Sequence, residues 1–185
     1  MLVQDWMTRH VVSAPSNMTL GAALGLMNER KIRRLPVLRA GKLVGILTKS
    51  DVYAALGPLH YWDKADAQEQ VVERYMTANP VTVAPREALE EAALIMHDRR
   101  VSGLPVEEKK KLVGMITETD IFRAFIEIMG LKEGGGRVTF RFGSGAGLLE
   151  KIQQRLGRMS LRSLVAYYDR KKADWLAVAR VRGRD

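Results

Sequence analysis

A single pattern of apolar and polar positions runs through the first part of the chain, beginning with a short extended segment that ends at Pro15. A helix follows, because Leu20, Ala23, Leu24 and Met27 recur at the spacing of one helix face. Two apolar runs then flank a glycine-containing turn, which is typical of a β-hairpin. A second apolar periodic segment completes the unit, and the order predicted is β-α-β-β-α.

The same pattern returns 69 positions further along the chain. The second copy has its own extended segment, ending at Pro85, and its own helix face, with an alignment slip of one residue near Pro80. Several positions are identical between the copies: Met7-Thr8 and Met76-Thr77, 35–37 and 104–106, 43–45 and 112–114, Thr48 and Thr117, Asp51 and Asp120. We therefore predict an internal repeat of one structural unit.

The last fifty or so residues follow a different pattern, β-α-β-β. Val138–Phe142 alternates apolar and polar residues as a half-buried strand does, and the glycine-rich loop 143–147 follows it. An apolar helix face begins at Leu148, and strands are predicted at 161–168 and 175–181. The whole chain is thus expected to be α/β (α+β), with repeats at 1–65 and 66–130, a glycine hinge at 131–136 and a small domain at 137–185.

Composition and charge narrow the function classes. Cysteine is absent, which excludes thiolate metal sites and a cysteine nucleophile. No apolar run is long enough to span a membrane, and the N-terminus lacks the features of a signal peptide, so we expect a cytoplasmic protein. Of the net charge of +9, a net of +8 falls on residues 131–185, which indicates a basic domain.

A Thr-x-x-Asp sequence stands at the predicted start of the last helix of each copy, as Thr48/Asp51 and Thr117/Asp120. A carboxylate can accept two hydrogen bonds from a ribose diol, and a hydroxyl beside free N–H groups can bind phosphate. Both features suit a nucleotide. The alternative is that these residues are ordinary helix N-caps that bind nothing.

The Gly-hydrophobic-hydrophobic-Thr-x-x-Asp sequence after a Leu-Pro-Val strand, present twice, resembles a tandem CBS-domain pair, or Bateman module. The resemblance covers residues 1–130 and implies two clefts between the repeats. In that family the clefts hold adenine nucleotides, here AMP, ADP or ATP, with S-adenosylmethionine as a further candidate. It also implies a homodimer formed through helices, with Tyr53, Trp62, Ile126 and Met129 as contacts.

Chemistry and resemblance together predict the residues of the nucleotide site. The apolar positions would enclose adenine, and the arginines before each Leu-Pro-Val strand, at 33–34 and 99–100, could neutralise phosphate. The predicted site residues are Val12, Ser13, Ile32, Arg34, Pro36, Thr48, Ser50, Asp51, Thr82, Val83, Val101, Gly103, Pro105, Thr117, Thr119 and Asp120.

The loop before Leu148 invites comparison with a dinucleotide-binding fingerprint, but Leu148 stands where a third small residue is required. The loop is more similar to that of ACT domains, a regulatory βαββαβ family, although the second helix and last strand are missing. A CBS pair followed by an ACT-like segment resembles AcuB-type acetoin-utilisation proteins.

No catalytic pattern accompanies these motifs. The three histidines, His10, His60 and His97, have no metal-ligand spacing, and no Ser/His/Asp arrangement or P-loop is present. We therefore expect a non-catalytic sensor that relays nucleotide occupancy to its C-terminal domain or to a partner, and that needs no cofactor.

The alternative function is a polyanion- or protein-interaction module in which the CBS pair is a scaffold. Its basic domain would bind nucleic acid or an acidic protein through arginines and lysines on one sheet face, together with Tyr167 and Tyr168.

Overall fold

The computed structural model of the protein describes residues 1–56, 69–132 and 134–182. The chain divides into two compact units, Met1–Ile121 and Phe122–Asp185. The helices are α1 Val3–Trp6, α2 Leu20–Glu29, α3 Lys49–Leu56, α4 Leu89–Arg99, α5 Glu118–Ile128 and α6 Leu148–Leu156, with a 3₁₀ turn at Val72–Arg74. The strands are β1 Ala14–Pro15, β2 Arg34–Arg39, β3 Lys42–Thr48, β4 Thr77–Ala78, β5 Gly103–Glu108, β6 Lys111–Thr117, β7 Gly136–Phe142, β8 Ser160–Asp169 and β9 Asp174–Arg182.

The two repeats share one architecture in the first unit. In each, an antiparallel hairpin (β2–β3, then β5–β6) follows a helix and leads into another helix. The hairpin turns are equivalent: Ala40-Gly41 in the first and Lys109-Lys110 in the second, all four with positive φ. Positive φ at both turn residues suits the right-handed twist of the flanking strands. The predicted β-α-β-β-α order is confirmed.

The opening residues of each repeat pair with the hairpin of the other. Strand β4, from the second repeat, adds to β3, with Thr77 opposite Ile46. Thr8, from the first repeat, pairs with Met115 on β6, at the equivalent position 69 residues on. The repeats are therefore joined by an exchange of edge segments, and each sheet is incomplete without the other repeat.

The two repeats keep their spacing of 69 residues near Pro80 as well, where the sequence pattern suggested a shift of one residue. Ala14 pairs in parallel with Val37, and Val83 pairs in parallel with Val106. Because each residue of the second pair lies 69 positions after its counterpart in the first, Val83 is the equivalent of Ala14. Both side chains are buried, at 2% and 1% exposure, in the core of the first unit.

The core of the first repeat is formed by the apolar face predicted for α2 together with its hairpin. Leu20 and Met27 on α2 pack with Leu35, Val37 and Leu47 on the two strands, all essentially without solvent exposure. Val72 joins the same cluster, although it comes from the chain segment that enters the second repeat. Burial of this continuous apolar surface stabilises the hairpin that carries Thr48 and Asp51 at its end.

The second unit contains a three-stranded antiparallel sheet in the order β7-β9-β8, with α6 packed on one face. β7 and β8 are connected through α6 and run parallel to each other on either side of β9, which is a split β-α-β arrangement. Phe140 and Phe142 pack against Ile152 and Leu156 of the helix. The predicted β-α-β-β order is confirmed, and the division between the two units falls within α5. His60, Trp62 and the predicted 65/66 boundary lie outside the described residues.

Candidate functional site

Thr48 and Asp51 form reciprocal hydrogen bonds at the start of α3. Asp51 Oδ2 accepts from the Thr48 N–H at 2.8 Å and from Thr48 Oγ1 at 2.7 Å. The Asp51 N–H donates to Thr48 Oγ1 at 3.2 Å. This is a capping box with aspartate in the usual place of glutamate. Both bonds to the carboxylate end on Oδ2, so within the described residues Oδ1 is left to accept from a ligand hydroxyl.

Thr117 and Asp120 repeat this geometry at the start of α5. Asp120 Oδ2 accepts from the Thr117 N–H at 2.9 Å and from Thr117 Oγ1 at 2.7 Å. Asp120 is buried, with 6% of its surface exposed. Both Thr-x-x-Asp sequences are therefore helix caps in this structure. At Asp51, capping and ligand binding are compatible because they use different carboxylate oxygens.

The Thr48/Asp51 cap lies in the wall of a cavity of about 520 Å³, which we call the first cleft. This volume falls within the range of about 300–1,000 Å³ that is common for small-molecule sites. The cleft is formed by both repeats, and its lining residues are Arg33, Arg34, Ile46, Thr48, Lys49, Ser50, Asp51, Thr77, Asn79, Pro80, Val81, Arg99, Arg100, Val101, Ser102, Gly103, Leu104 and Pro105.

A second cleft, of about 220 Å³, contains the start of α5. It is the equivalent of the first cleft by the repeat, with less than half its volume. Its lining residues are Thr8, His10, Val11, Val12, Lys31, Ile32, Arg33, Arg34, Pro36, Ser102, Met115, Thr117, Glu118 and Thr119.

The structure brings together twelve of the sixteen predicted site residues on these walls. Thr48, Ser50, Asp51, Val101, Gly103 and Pro105 line the first cleft, and Val12, Ile32, Pro36, Thr117 and Thr119 line the second. Arg34 lines both. Ser13, Thr82, Val83 and Asp120 line neither cleft. Val83 is in the core for the reason given above, and Val81 takes the place on the wall that Val12 has in the other repeat.

Sequence reasoning missed the wall residues that come from the exchanged edge segments. Thr77 and Asn79 line the first cleft, and their equivalents Thr8 and His10 line the second. The repeated Met-Thr pair was the available signal, because its recurrence at constant spacing marked a structural role. Lys49 and Glu118, inside the two Thr-x-x-Asp sequences, were also missed as wall residues.

Arg34 stands between the two clefts. Its guanidinium donates through Nη1 to the Ser102 carbonyl oxygen and through Nη2 to Ser102 Oγ. Burial lowers the pKa of Arg34, and the nearby charge of Arg33 lowers it further. The carboxylates of Glu118 and Asp120 act in the opposite direction and favour the charged form. The partly buried guanidinium of Arg34 is therefore held in the wall shared by the two clefts by its two hydrogen bonds to Ser102 and by the two nearby carboxylates.

The charges on the two clefts differ. Position 49 is lysine on the first cleft, whereas the equivalent position on the second is Glu118. The first cleft also has two arginines at the end of α4: Arg99, its last residue, and Arg100, which follows it. Together with Arg33, Arg34 and Lys49, these two arginines give the first cleft five cationic side chains. They outnumber the single carboxylate of Asp51, and this balance of charge favours a polyanionic ligand.

Arg100 adopts a left-handed conformation, with φ of 53°, directly after α4. Lys31, its equivalent after α2, has the same φ of 53°. Glycine is the usual residue at such a helix end, because other residues are strained there. Both residues lie on cleft walls. At each of these positions the chain therefore has a basic side chain in a backbone conformation that glycine would adopt with less strain.

The sheet of the second unit has arginines on one face and separates the two neighbouring tyrosines of β8. The strand register places Arg137, Arg141, Arg180 and Tyr167 on one face. Tyr168 falls on the opposite face, where its ring lies 5.8 Å from that of Trp175. The predicted pairing of Tyr167 with Tyr168 on one surface is therefore wrong, because successive residues of a strand point to opposite faces. Arg141 also contacts Asp174 at 3.3 Å.

No group of three or more histidine, aspartate or glutamate side chains within residues 1–56, 69–132 and 134–182 is arranged to hold a metal ion. None of the helices formed by these residues is both long enough and apolar enough to cross a membrane.

Two repeats with exchanged edge segments, and one cleft at the start of the last helix of each repeat, define a tandem-repeat module with paired clefts. The family model for the CBS domain matches residues 3–58 and 72–127. The chain belongs to the CBS-domain family.

The chain is similar to curated proteins of different sizes. A CBS domain-containing protein of Dictyostelium discoideum is 34% identical over 135 residues, which are 69% of this chain and 93% of that protein. L-aspartate semialdehyde sulfurtransferase of Methanocaldococcus jannaschii is 31% identical over 126 residues, which are 67% of this chain. The chain spans only 23% of that enzyme's length, so the likeness falls on one part of it.

Solved structures show the same likeness. A Vibrio cholerae protein assigned to acetoin utilization (AcuB) has a TM-score of 0.63 and 34% identity, over 72% of this chain and 96% of that one. The CBS pair of protein MJ0100, in complex with 5′-methylthioadenosine and S-adenosyl-L-methionine, has a TM-score of 0.59 and 31% identity, over 68% and 95% of the chains. CBSX2 in complex with AMP has a TM-score of 0.60 and 29% identity, over 69% and 97%.

Proposed function

We propose that this protein is a regulatory sensor that binds an adenine nucleotide in the first cleft. The observation that carries the proposal is the capped start of α3 in a cavity of about 520 Å³ lined by five cationic side chains. A ribose diol would bind Asp51 Oδ1, and the phosphates would face the arginines. The AMP complex of CBSX2 and the methylthioadenosine complex of MJ0100 support adenosine as the ligand's core.

The charge of the cleft distinguishes among the candidate ligands AMP, ADP, ATP and S-adenosylmethionine. Several cations on one wall stabilise a ligand in proportion to its negative charge, so we expect the affinity order ATP, ADP, AMP. S-adenosylmethionine carries a sulfonium cation and would bind more weakly to the first cleft than the nucleotides. The protein itself would need no cofactor and would perform no catalysis.

Isothermal titration of these four ligands tests the proposal. We expect binding of nucleotide by the wild-type protein and a loss of about tenfold or more in Asp51→Ala, which removes the ribose acceptor. Asp51→Ala also removes the cap of α3, so Thr19→Ala serves as the control, because it removes the side-chain cap of α2 at a residue outside both clefts. Equal losses in both variants, or no binding of any ligand by folded wild-type protein, would contradict the proposal.

Occupancy would be relayed to the second unit through α5. This helix begins after the Thr117 cap and continues past Ile121, so the division between the two units falls within it. Hydrogen exchange of α5 and of the sheet β7-β9-β8, measured with and without ATP, tests the relay. Changed protection beyond Ile121 is the expected result, and a change confined to the first cleft would contradict it.

The regulatory protein would act as a homodimer. Phe122 and Phe125 of α5 are 68% and 52% exposed, and their rings contact each other edge to face with centroids 6.4 Å apart. A second copy is the occupant that a CBS pair implies for such an apolar helix face. Sedimentation is expected to show a dimer for the wild type and a monomer for Phe122→Glu/Phe125→Glu, and a monomeric wild type would contradict this proposal.

The second unit would be a truncated ACT-like domain, and the protein would be of the AcuB type. The β-α-β-β order and the glycine-rich loop before α6 support the first statement, and the likeness to the Vibrio cholerae protein supports the second. A role in acetoin utilisation would follow from the AcuB likeness, and a strain lacking the protein would then grow more slowly on acetoin.

A further inference from the structure

We propose that Arg34 closes the second cleft, so that each chain holds one nucleotide and holds it in the first cleft. This inference rests on the proposed function, since it concerns where the nucleotide binds. Arg34 then determines both the number of sites and their location.

The first argument is the relation between Arg34 and its equivalent in the other repeat. Position 103, which lies 69 residues after position 34, is glycine. A Cβ atom on Gly103 would overlap the guanidinium of Arg34, so the arginine side chain fills space that only glycine leaves open. Hydrogen bonds to the carbonyl and hydroxyl of Ser102 fix it there. One repeat supplies the large side chain and the other supplies the room for it.

The second argument is the size of the two clefts. Repeats with the same backbone pattern would give clefts of similar volume, yet the volumes are about 520 Å³ and 220 Å³. The smaller volume lies below the range of about 300–1,000 Å³ typical of small-molecule sites. Arg34 lines the smaller cleft and lies close enough to Glu118 and Asp120 to interact with both carboxylates. Arg34 therefore contributes a large side chain to the wall of the smaller cleft, whereas its equivalent on the wall of the larger cleft, Gly103, contributes none.

The third argument is charge. A nucleotide in the second cleft would bring its phosphates toward Glu118, whereas Lys49 stands at the equivalent position of the first cleft. The carboxylates of Glu118 and Asp120 also partly neutralise Arg34 on that side. A phosphate therefore gains less from the second cleft than from the first.

Binding stoichiometry tests the inference. Equilibrium dialysis with labelled ATP and, separately, with labelled AMP at saturating concentrations would give one nucleotide per chain for the wild-type protein. Arg34→Gly, which makes the first repeat like the second at this position, would give two. Arg34→Ala is a second variant with the same expected result, and circular dichroism confirms that each variant is folded.

Arg33→Gly is the matched control, because it removes the same charge from a neighbouring residue that also lines both clefts. It would weaken ATP binding by about tenfold and leave one nucleotide per chain. Two nucleotides per wild-type chain, or one per chain in both Arg34 variants, would overturn the inference and leave the proposed function standing. Failure of wild type and variants to bind either nucleotide would overturn both.

Discussion

Arg34 and Gly103 stand at equivalent positions of the two repeats, and the guanidinium of Arg34 lies where a side chain on Gly103 would begin. An internal repeat makes such complementarity available, because equivalent residues meet where the two copies face each other. The pair has departed from symmetry in opposite directions, one residue being long and charged and the other having no side chain. In the inference above, this pair accounts for the difference in volume between the two clefts.

Gly103→Ala is expected to lower the free energy of unfolding by about 1–3 kcal/mol, as overpacking of a buried position does. Its new Cβ would meet Arg34 and also the Ile116 carbonyl oxygen at 3.2 Å. In an Arg34→Ala background the cost should fall by about half, because only the second contact remains. Urea unfolding of the four proteins measures the coupling, and an equal cost in both backgrounds would show that Arg34 does not occupy this space.

Lys110→Gly is expected to stabilise the protein by about 1 kcal/mol, because Lys110 has a φ of 63° that glycine adopts without strain. The equivalent residue of the first hairpin is already glycine, Gly41, with a φ of 75°. The reverse change, Gly41→Lys, should destabilise by a similar amount. Thermal unfolding measures both, and stability changes of the same sign in the two variants would contradict the assignment of the turn.

The side chain of Met7 packs against Gly114 of the other repeat, and Met76 packs in the same way against Gly45. We call each of these contacts an interlock between the repeats. A Cβ on Gly114 would overlap Met7 Sδ, and a Cβ on Gly45 would overlap Met76 Sδ. Gly114→Ala should therefore cost about 1–2 kcal/mol, and Met7→Ala should relieve part of that cost, with a coupling above about 0.5 kcal/mol. Gly114→Ala combined with Met76→Ala is the control and should be additive. Coupling of equal size in the two combinations would argue against the interlock.

This interlock shows what the sequence pattern could and could not predict. Hairpins and helices followed from periodicity, since Leu20 and Met27 mark a helix face and glycine marks the first turn. The Met-Thr pair was visible as a repeated sequence, but its packing against a glycine of the other repeat depends on the exchange of edge segments. Pairing between distant strands is not encoded in local periodicity, so Thr8, His10, Thr77 and Asn79 were not predicted as wall residues.

The candidate site illustrates the same limit. Thr48 and Asp51 are predictable from the sequence because a helix cap spans only one turn, so the whole motif lies within four consecutive residues. Val83 is predicted on a cleft wall because the alignment of the repeats is shifted by one residue near Pro80. The strand pairing instead keeps the spacing of 69 residues, and it places Val83 in the core. Arg34 was named as a phosphate ligand, but its position between the clefts depends on Gly103 and Ser102, which are far from it in sequence.

Arg100→Gly is expected to raise stability and lower nucleotide affinity at the same time. Glycine relieves the left-handed strain at a φ of 53°, a gain of about 0.5–1 kcal/mol, and the first cleft loses one of its five cations. ATP affinity should fall by about tenfold, and AMP affinity should fall less because AMP carries fewer charges. Lys110→Gly is the control, since it relieves the same kind of strain at a residue outside both clefts and should change stability alone. Thermal unfolding and calorimetric titration of both variants separate the two effects. Unchanged ATP affinity in Arg100→Gly would mean that the strained arginine does not serve the nucleotide, and the cost of keeping it there would have no functional account.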